Sequence, residues 1–211
     1  MPVISFLSQK GGSGKSTLCR LALVEFSRNG WNVIAADMDE GQSSIFSWNT
    51  RRTDNKILPE VEVIKCGAVK TALRSKSMAD LLLIDGKPFA DIQTLEIAKN
   101  SDLVVIPTGV TLDDLEPSLN LGRQLINSGI DNKKLFFVPM KSPSNGETRS
   151  TISSIQGWGF NSASVALEFK SSYGRAMDDG HSVSEVKFER LKGIADQIVE
   201  QIANKLTEVQ K

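Results

Sequence analysis

A stretch of glycines and lysines, SQKGGSGKST at Ser8 to Thr17, stands between an apolar run, Val3-Ile4-Ser5-Phe6-Leu7, and a helix-patterned segment from Ser16. A chain passing from strand to glycine-rich loop to helix can close several backbone N–H groups on one anion, and the helix N-terminus adds its dipole. The stretch departs from the strict pattern G-x-x-x-x-G-K-[ST], because Gln9 stands where the first glycine belongs. It also carries a second lysine, Lys10, five residues before Lys15. A glycine-rich turn with incidental lysines is the competing reading, and the order strand, loop, helix weighs against it.

The rest of the chain repeats that alternation. Short β-branched runs recur at Asn32 to Ala36, Val61 to Ile64, Leu81 to Ile84, Leu103 to Ile106 and Leu135 to Val138, with Ser164 to Leu167 a weaker seventh strand. Near-continuous apolar strands joined by helices predict an α/β domain, doubly wound, with a mostly parallel central sheet of about seven strands flanked by helices. Helices are expected over Ser16 to Asn29, with Cys19, Ala22, Leu23 and Phe26 on one stripe and Gly30 as the stop, and over Leu115 to Asn127. The longest is expected from Glu185 to about Val209, with Ile194, Ile198, Ile202 and Leu206 four apart. Lys141 to Arg149, KSPSNGETR, is the most loop-like stretch. It is too short for a linker, so residues 1–211 are read as one domain.

Composition narrows the function. Lys and Arg number 25 against 25 Asp and Glu, so any contact with nucleic acid must use a local patch. No apolar run approaches the roughly 18 residues of a membrane span, and no charged leader precedes an apolar stretch, so a cytoplasmic protein is expected. Cys19 and Cys66 are too few for a disulfide framework or a four-ligand zinc site.

In the loop itself, Lys15 is expected to reach the β- and γ-phosphates of a nucleotide, and Ser16 to offer its hydroxyl to Mg²⁺. The run K-G-G-x-G-K-[ST], Lys10 to Ser16, resembles the deviant Walker A motif of the ParA/MinD family of ATPases. The resemblance implies a P-loop NTPase fold and an ATP site formed by Lys10, Gly11, Gly12, Ser13, Gly14, Lys15, Ser16 and Thr17. It also implies that Lys10 reaches across a nucleotide-sandwich homodimer to the partner's phosphates. A surface lysine paired with a nearby carboxylate is the alternative role for Lys10.

Downstream residues extend the resemblance. Asp37-Met38-Asp39 is similar to the family's D-x-D: Asp39 matches the carboxylate that orients the attacking water, and Asp37 would assist around the metal's water shell. A strand-end aspartate can instead cap the next helix, a role also open to Ser43 or Ser44. Glu40-Gly41-Gln42 replaces the family's usual Pro-Gln. Leu81 to Asp85 resembles a Walker B strand, with Asp85 holding Mg²⁺ through water, followed by Gly86-Lys87-Pro88 where many relatives have Thr-Pro-Pro. Pro107 to Leu115 resembles the segment that supports the dimer face and pocket. Met140 to Pro143 is expected near the base, because such sheets bind ligand at their strand C-termini. Tyr173 to Val183 resembles a short-ParA pattern, and a chain beginning at its first strand is expected to be of that short type.

The resemblance implies ATP-dependent, non-specific DNA binding, for which Lys170, Arg175, Lys187, Arg190 and Lys192 are the candidate patch. A solvated helical face diluted by Glu185, Glu189 and Asp196 is the competing reading. His181, the one histidine, is expected in a loop or helix cap, and both cysteines are expected to be structural. The expected function is an ATPase, nucleoid-associated when ATP-bound, that positions a plasmid, chromosome or other cargo. A cognate partition or cargo-adaptor protein would stimulate it. The alternatives are a MinD-like membrane-associated positioning ATPase, for which the tail carries few cations, and a metabolic enzyme using ATP on the same fold.

Overall fold

The structure is a computed structural model and describes residues 1–88 and 92–211. Its strands are β1 Val3–Ser8, β2 Val33–Asp37, β3 Glu62–Lys65, β4 Leu81–Pro88, β5 Leu103–Thr108, β6 Leu135–Ser142, β7 Asn161–Ser162 and β8 Leu167–Glu168. Its helices are α1 Lys15–Arg28, α2 Ser44–Asp54, α3 Val69–Arg74, α4 Ile92–Lys99, α5 Leu112–Asn127, α6 Asn145–Gly157, α7 Ser171–Asp178 and α8 Glu189–Val209. The sheet runs β3-β2-β4-β1-β5-β6-β7, with β8 paired to β6. Every pairing among the described residues is parallel.

Both faces of the sheet are covered, which is why the strands read as unbroken apolar runs. Leu81 and Leu83 of β4 join the core layer under α1 and α8, while Leu82 and Ile84 join the layer under α4 and α5. All four are fully buried, each contributing about 2 kcal/mol. That alternation follows from the two-residue period of a strand. The stripe expected on α1 is buried, as are Ile198, Ile202 and Leu206 of α8, while Ile194 is half-buried.

Several boundaries differ from expectation. The weak seventh strand is not at Ser164 to Leu167; two two-residue strands flank that turn instead, at Asn161–Ser162 and Leu167–Glu168. Lys141 to Arg149 is not a loop. β6 continues to Ser142, and Ser144 caps α6 by accepting a hydrogen bond from Glu147 N at 3.2 Å. Only Thr151 and Ile155 of α6 are buried, so the helix presents little apolar period to read. α5 starts at Leu112, three residues early, and α8 at Glu189, after a 3-10 turn over Val183–Glu185.

Strand order reverses about β1, with β2 and β3 on one side and β5 to β7 on the other. In an open parallel sheet, that reversal leaves a crevice at the strand C-termini. The glycine-rich loop leaves β1 at this point.

Candidate functional site

The loop is built around the hydroxyl of Ser8, the last residue of β1. Lys15 Nζ donates to Ser8 Oγ at 3.0 Å and Ser13 Oγ donates to it at 2.8 Å. Ser8 Oγ passes its own hydrogen to the Lys10 carbonyl at 2.8 Å. Gly12 and Gly14 hold positive φ, 72° and 111°, which favours glycine. A Cβ on Gly14 would lie 2.5 Å from Met140 Cε, so β6 packs directly on the loop's last turn.

Lys15 opens α1 and is only 7% exposed; burial lowers its pKa, and the charges of Asp85 and Asp39 oppose that shift. Ser16 Oγ donates to Asp85 Oδ2 at 2.6 Å. Asp85 Oδ1 is buried with no hydrogen-bond partner. Burial pushes the Asp85 carboxyl up to about 7, against the Ser16 hydrogen bond, and the neighbouring Asp37 charge pushes the same way. An unsatisfied buried carboxylate oxygen beside a serine hydroxyl and an ammonium is costly unless a cation or its water shell meets it. The donor set is hydroxyl and carboxylate oxygen, which suits Mg²⁺.

Asp37 lies opposite Asp85 in the β2–β4 register. Its carboxylate faces backbone: Oδ2 accepts from Ile45 N at 3.0 Å and Phe46 N at 3.2 Å, and Oδ1 from Asp39 N at 3.1 Å. Asp37 therefore caps α2, whereas Ser43 makes no side-chain cap. Asp39 is half-exposed at the pocket wall and its Oδ1 accepts from Gln42 N at 3.1 Å. Arg20 braces the same segment from α1, with Nη2 donating to the Ser44 carbonyl at 2.6 Å and the guanidinium 5.7 Å from the Trp48 ring centre.

Lys10 points away from the loop. Its Nζ donates to Asp114 Oδ1 at 2.7 Å and to the Asp113 carbonyl at 3.2 Å. The second contact follows from Pro117 inside α5, which has no N–H to give the carbonyl four residues earlier. The hydrogen bond that Lys10 donates to Asp114 raises the Lys10 pKa, and the same bond lowers that of Asp114.

A cavity of about 450 Å³ extends from Gly14 and Lys15 past Met140 and Lys141 to Phe169 and Tyr173. Of the segment Met140 to Pro143 expected near a base, Met140 and Lys141 line this cavity. The wall over Leu167 to Tyr173 has no sequence signal beyond its neighbourhood to Tyr173. Of the basic set, Lys170 and Arg190 converge on one carboxylate, Glu168, at 3.5 Å and 2.8 Å. Arg175 and Lys187 are exposed, and Lys192 is half-buried. Cys19 and Cys66 are buried and unpaired. His181 lies between α7 and the 3-10 turn, its carbonyl accepting from Trp48 Nε1 at 3.0 Å. The chain beyond Pro88 is described again only from Ile92.

The family model for the CobQ/CobB/MinD/ParA nucleotide binding domain matches residues 4–210. A curated relative, protein ParA of Rhizobium radiobacter, is 28% identical over 107 residues, covering 51% of this chain and 48% of its own length. The chain thus matches about half the length of that relative. A candidate plasmid partition protein of Borrelia burgdorferi B31, solved with AMPPNP, superposes with a TM-score of 0.74 at 17% identity, covering 97% of this chain and 99% of the other. MinD of Pyrococcus horikoshii OT3, solved with Mg-ADP, superposes with a TM-score of 0.74 at 14% identity, covering 95% of each chain. These two likenesses establish the fold.

Proposed function

The chain belongs to the CobQ/CobB/MinD/ParA family of nucleotide-binding domains, and on that premise we propose that it is a ParA-type ATPase acting as one domain over residues 1–211. It dimerises on ATP, binds DNA non-specifically and releases it on hydrolysis, so as to position a plasmid, chromosome or other cargo. The observation that carries this reading is the pair of lysines on one loop. Lys15 is buried against Ser8 at the loop's centre, while Lys10 is exposed on the rim beside α5. Lys15 binds the β- and γ-phosphates in cis, and Lys10 serves the facing subunit's nucleotide.

Backbone N–H groups from Gly11 to Thr17 cradle the phosphates. Ser16 and Asp85 would hold Mg²⁺, with Asp37, the register partner of Asp85 on β2, adding its charge nearby. The ion, when bound, neutralises charge developing on the transferred phosphoryl group. Asp39 orients the attacking water, a task that needs placement more than basicity. The partition and MinD structures solved with AMPPNP and Mg-ADP support the choice of nucleotide and ion.

DNA rather than membrane is the favoured surface, because the apolar stripe of α8 is spent on the core. Among the described residues, no helix is long and apolar enough to cross a membrane. The test is the mass of the protein with ADP and with ATP, alongside phosphate release with and without duplex DNA. ATP-specific dimers with slow, DNA-responsive turnover are expected. A monomer with fast turnover would instead favour a metabolic enzyme.

A further inference from the structure

Lys141 adopts φ +56°, the left-handed region that non-glycine residues rarely occupy. It stands in β6 where the register against β8 slips between Met140 and Ser142. Such a bulge turns a side chain out of the strand's alternation and is enriched beside functional sites. A lysine in this region is strained, and such a conformation persists only where the surroundings enforce it. At this position the bulge sends the side chain along the cavity wall to the glycine-rich loop. Lys141 Nζ donates to the Gly12 carbonyl at 2.7 Å.

That contact sets the direction of more than one atom. In a trans peptide the C=O and the following N–H point opposite ways. Holding the Gly12 carbonyl therefore fixes the Ser13 N–H as well. Gly12 itself holds φ +72° with no atom within 4 Å of a Cβ position, so beside the Ser13 Oγ bond to Ser8 Oγ the Lys141 contact is what holds the Gly12 carbonyl. Met140, the residue before Lys141, already packs on Gly14. Two consecutive residues of β6 thus grip two glycines of the loop, one by contact and one by a charge-assisted hydrogen bond.

We propose that Lys141 is a positioning residue for the nucleotide, a third lysine at the loop that acts by locking the Gly12–Ser13 peptide in its phosphate-binding orientation. It acts through the loop rather than on the γ-phosphate, so it serves ADP and ATP alike. The inference rests on the nucleotide-binding reading above.

The experiment compares wild type with Lys141→Met, which keeps the aliphatic stem, Lys141→Arg, which keeps the charge, and Lys141→Gly, which relieves the left-handed backbone. Mg-ADP and a non-hydrolysable Mg-ATP analogue are titrated into each, and thermal unfolding is followed without nucleotide. Lys141→Met and Lys141→Gly are expected to weaken both nucleotides about tenfold, the loss of one charge-assisted bond, with Lys141→Arg close to wild type. Lys141→Gly is expected to unfold no earlier than wild type, so weaker binding cannot be laid to a damaged fold. Wild-type affinity in Lys141→Met and Lys141→Gly, or a loss confined to the ATP analogue, overturns the inference and leaves the nucleotide-binding reading standing. Failure of wild type to bind either nucleotide overturns both.

Discussion

Lys10 and Asp114 form an ion pair of 2.7 Å that ties the glycine-rich loop to the first turn of α5. The lysine's side chain is 50% exposed and the aspartate's 36%, so the pair adds little to stability. It does occupy the ammonium proposed to reach a facing subunit. Both readings of Lys10 given by the sequence are then compatible: paired within one chain, and released to the partner's nucleotide on assembly. Asp114→Asn should leave thermal stability unchanged and let ATP-dependent dimers form at lower protein concentration. Lys10→Ala should bind ATP as a monomer and fail to dimerise with it. Measured mass against protein concentration checks both. A Lys10→Ala protein that dimerises on ATP with normal turnover would refute the cross-subunit role.

Asp39 shares the cavity wall with the glycine-rich loop and has one carboxylate oxygen held by Gln42 N. Asp39→Ala is expected to keep ATP binding and lose turnover by at least about a hundredfold, the scale of a lost water-orienting group. ATP should then trap the dimer. Phosphate release at the wild-type rate would remove Asp39 from this role.

The orphaned oxygen of Asp85 predicts dependence on a divalent ion. Chelation should abolish phosphate release. Ser16→Ala and Asp85→Asn should each raise the Mg²⁺ concentration needed for half-maximal turnover. An unshifted Mg²⁺ titration in both variants would place the ion elsewhere.

Arg175, Lys187 and Arg190 replaced together by alanine should weaken ATP-dependent binding to generic duplex DNA and flatten its salt dependence, since each lost phosphate contact removes about one unit of slope. Arg190 already serves Glu168, so part of the effect should be recovered by Glu168→Gln, which frees Lys170. Titration at two salt concentrations decides. Unchanged affinity and slope would clear these residues from the DNA face.

Glu185 anchors a buried network on the far side of α2. Arg52, 1% exposed, donates to it through both terminal nitrogens at 2.7 Å and 3.0 Å, and Ser182 N donates at 2.6 Å. Burial alone would push the Glu185 carboxyl up, but these hydrogen bonds and the Arg52 and Arg28 charges hold it below its ordinary 4.5. The folded state is therefore favoured by an ionised Glu185 above that value, and the stabilisation is lost as pH falls through the lower folded value. Glu185→Gln should cost about 3 kcal/mol at neutral pH by leaving Arg52 unpaired, and should flatten the acid limb of stability. Denaturant midpoints across that pH range check it. A parallel acid limb in wild type and variant would show that another carboxylate controls it.

Short-range sequence patterns suffice for the local structure. The glycine-rich loop between strand and helix, the unbroken apolar strands and the α1 stripe are patterns within a few residues, and backbone geometry converts such patterns directly into structure. The glycine-rich loop, the aspartates at the end of β2 and the apolar strand through Asp85 are therefore legible, while Lys141 to Arg149 reads as a loop because α6, which begins at Asn145, buries only two residues. Which of these residues meet is set by long-range packing. Ser16 and Asp85 are 69 residues apart, Lys10 and Asp114 are 104, and Gly12 and Lys141 are 129. The residues between carry no periodicity that encodes such a meeting. Strand order and the bulge in β6 set it, because a parallel sheet gathers strand ends from distant parts of the chain at one edge.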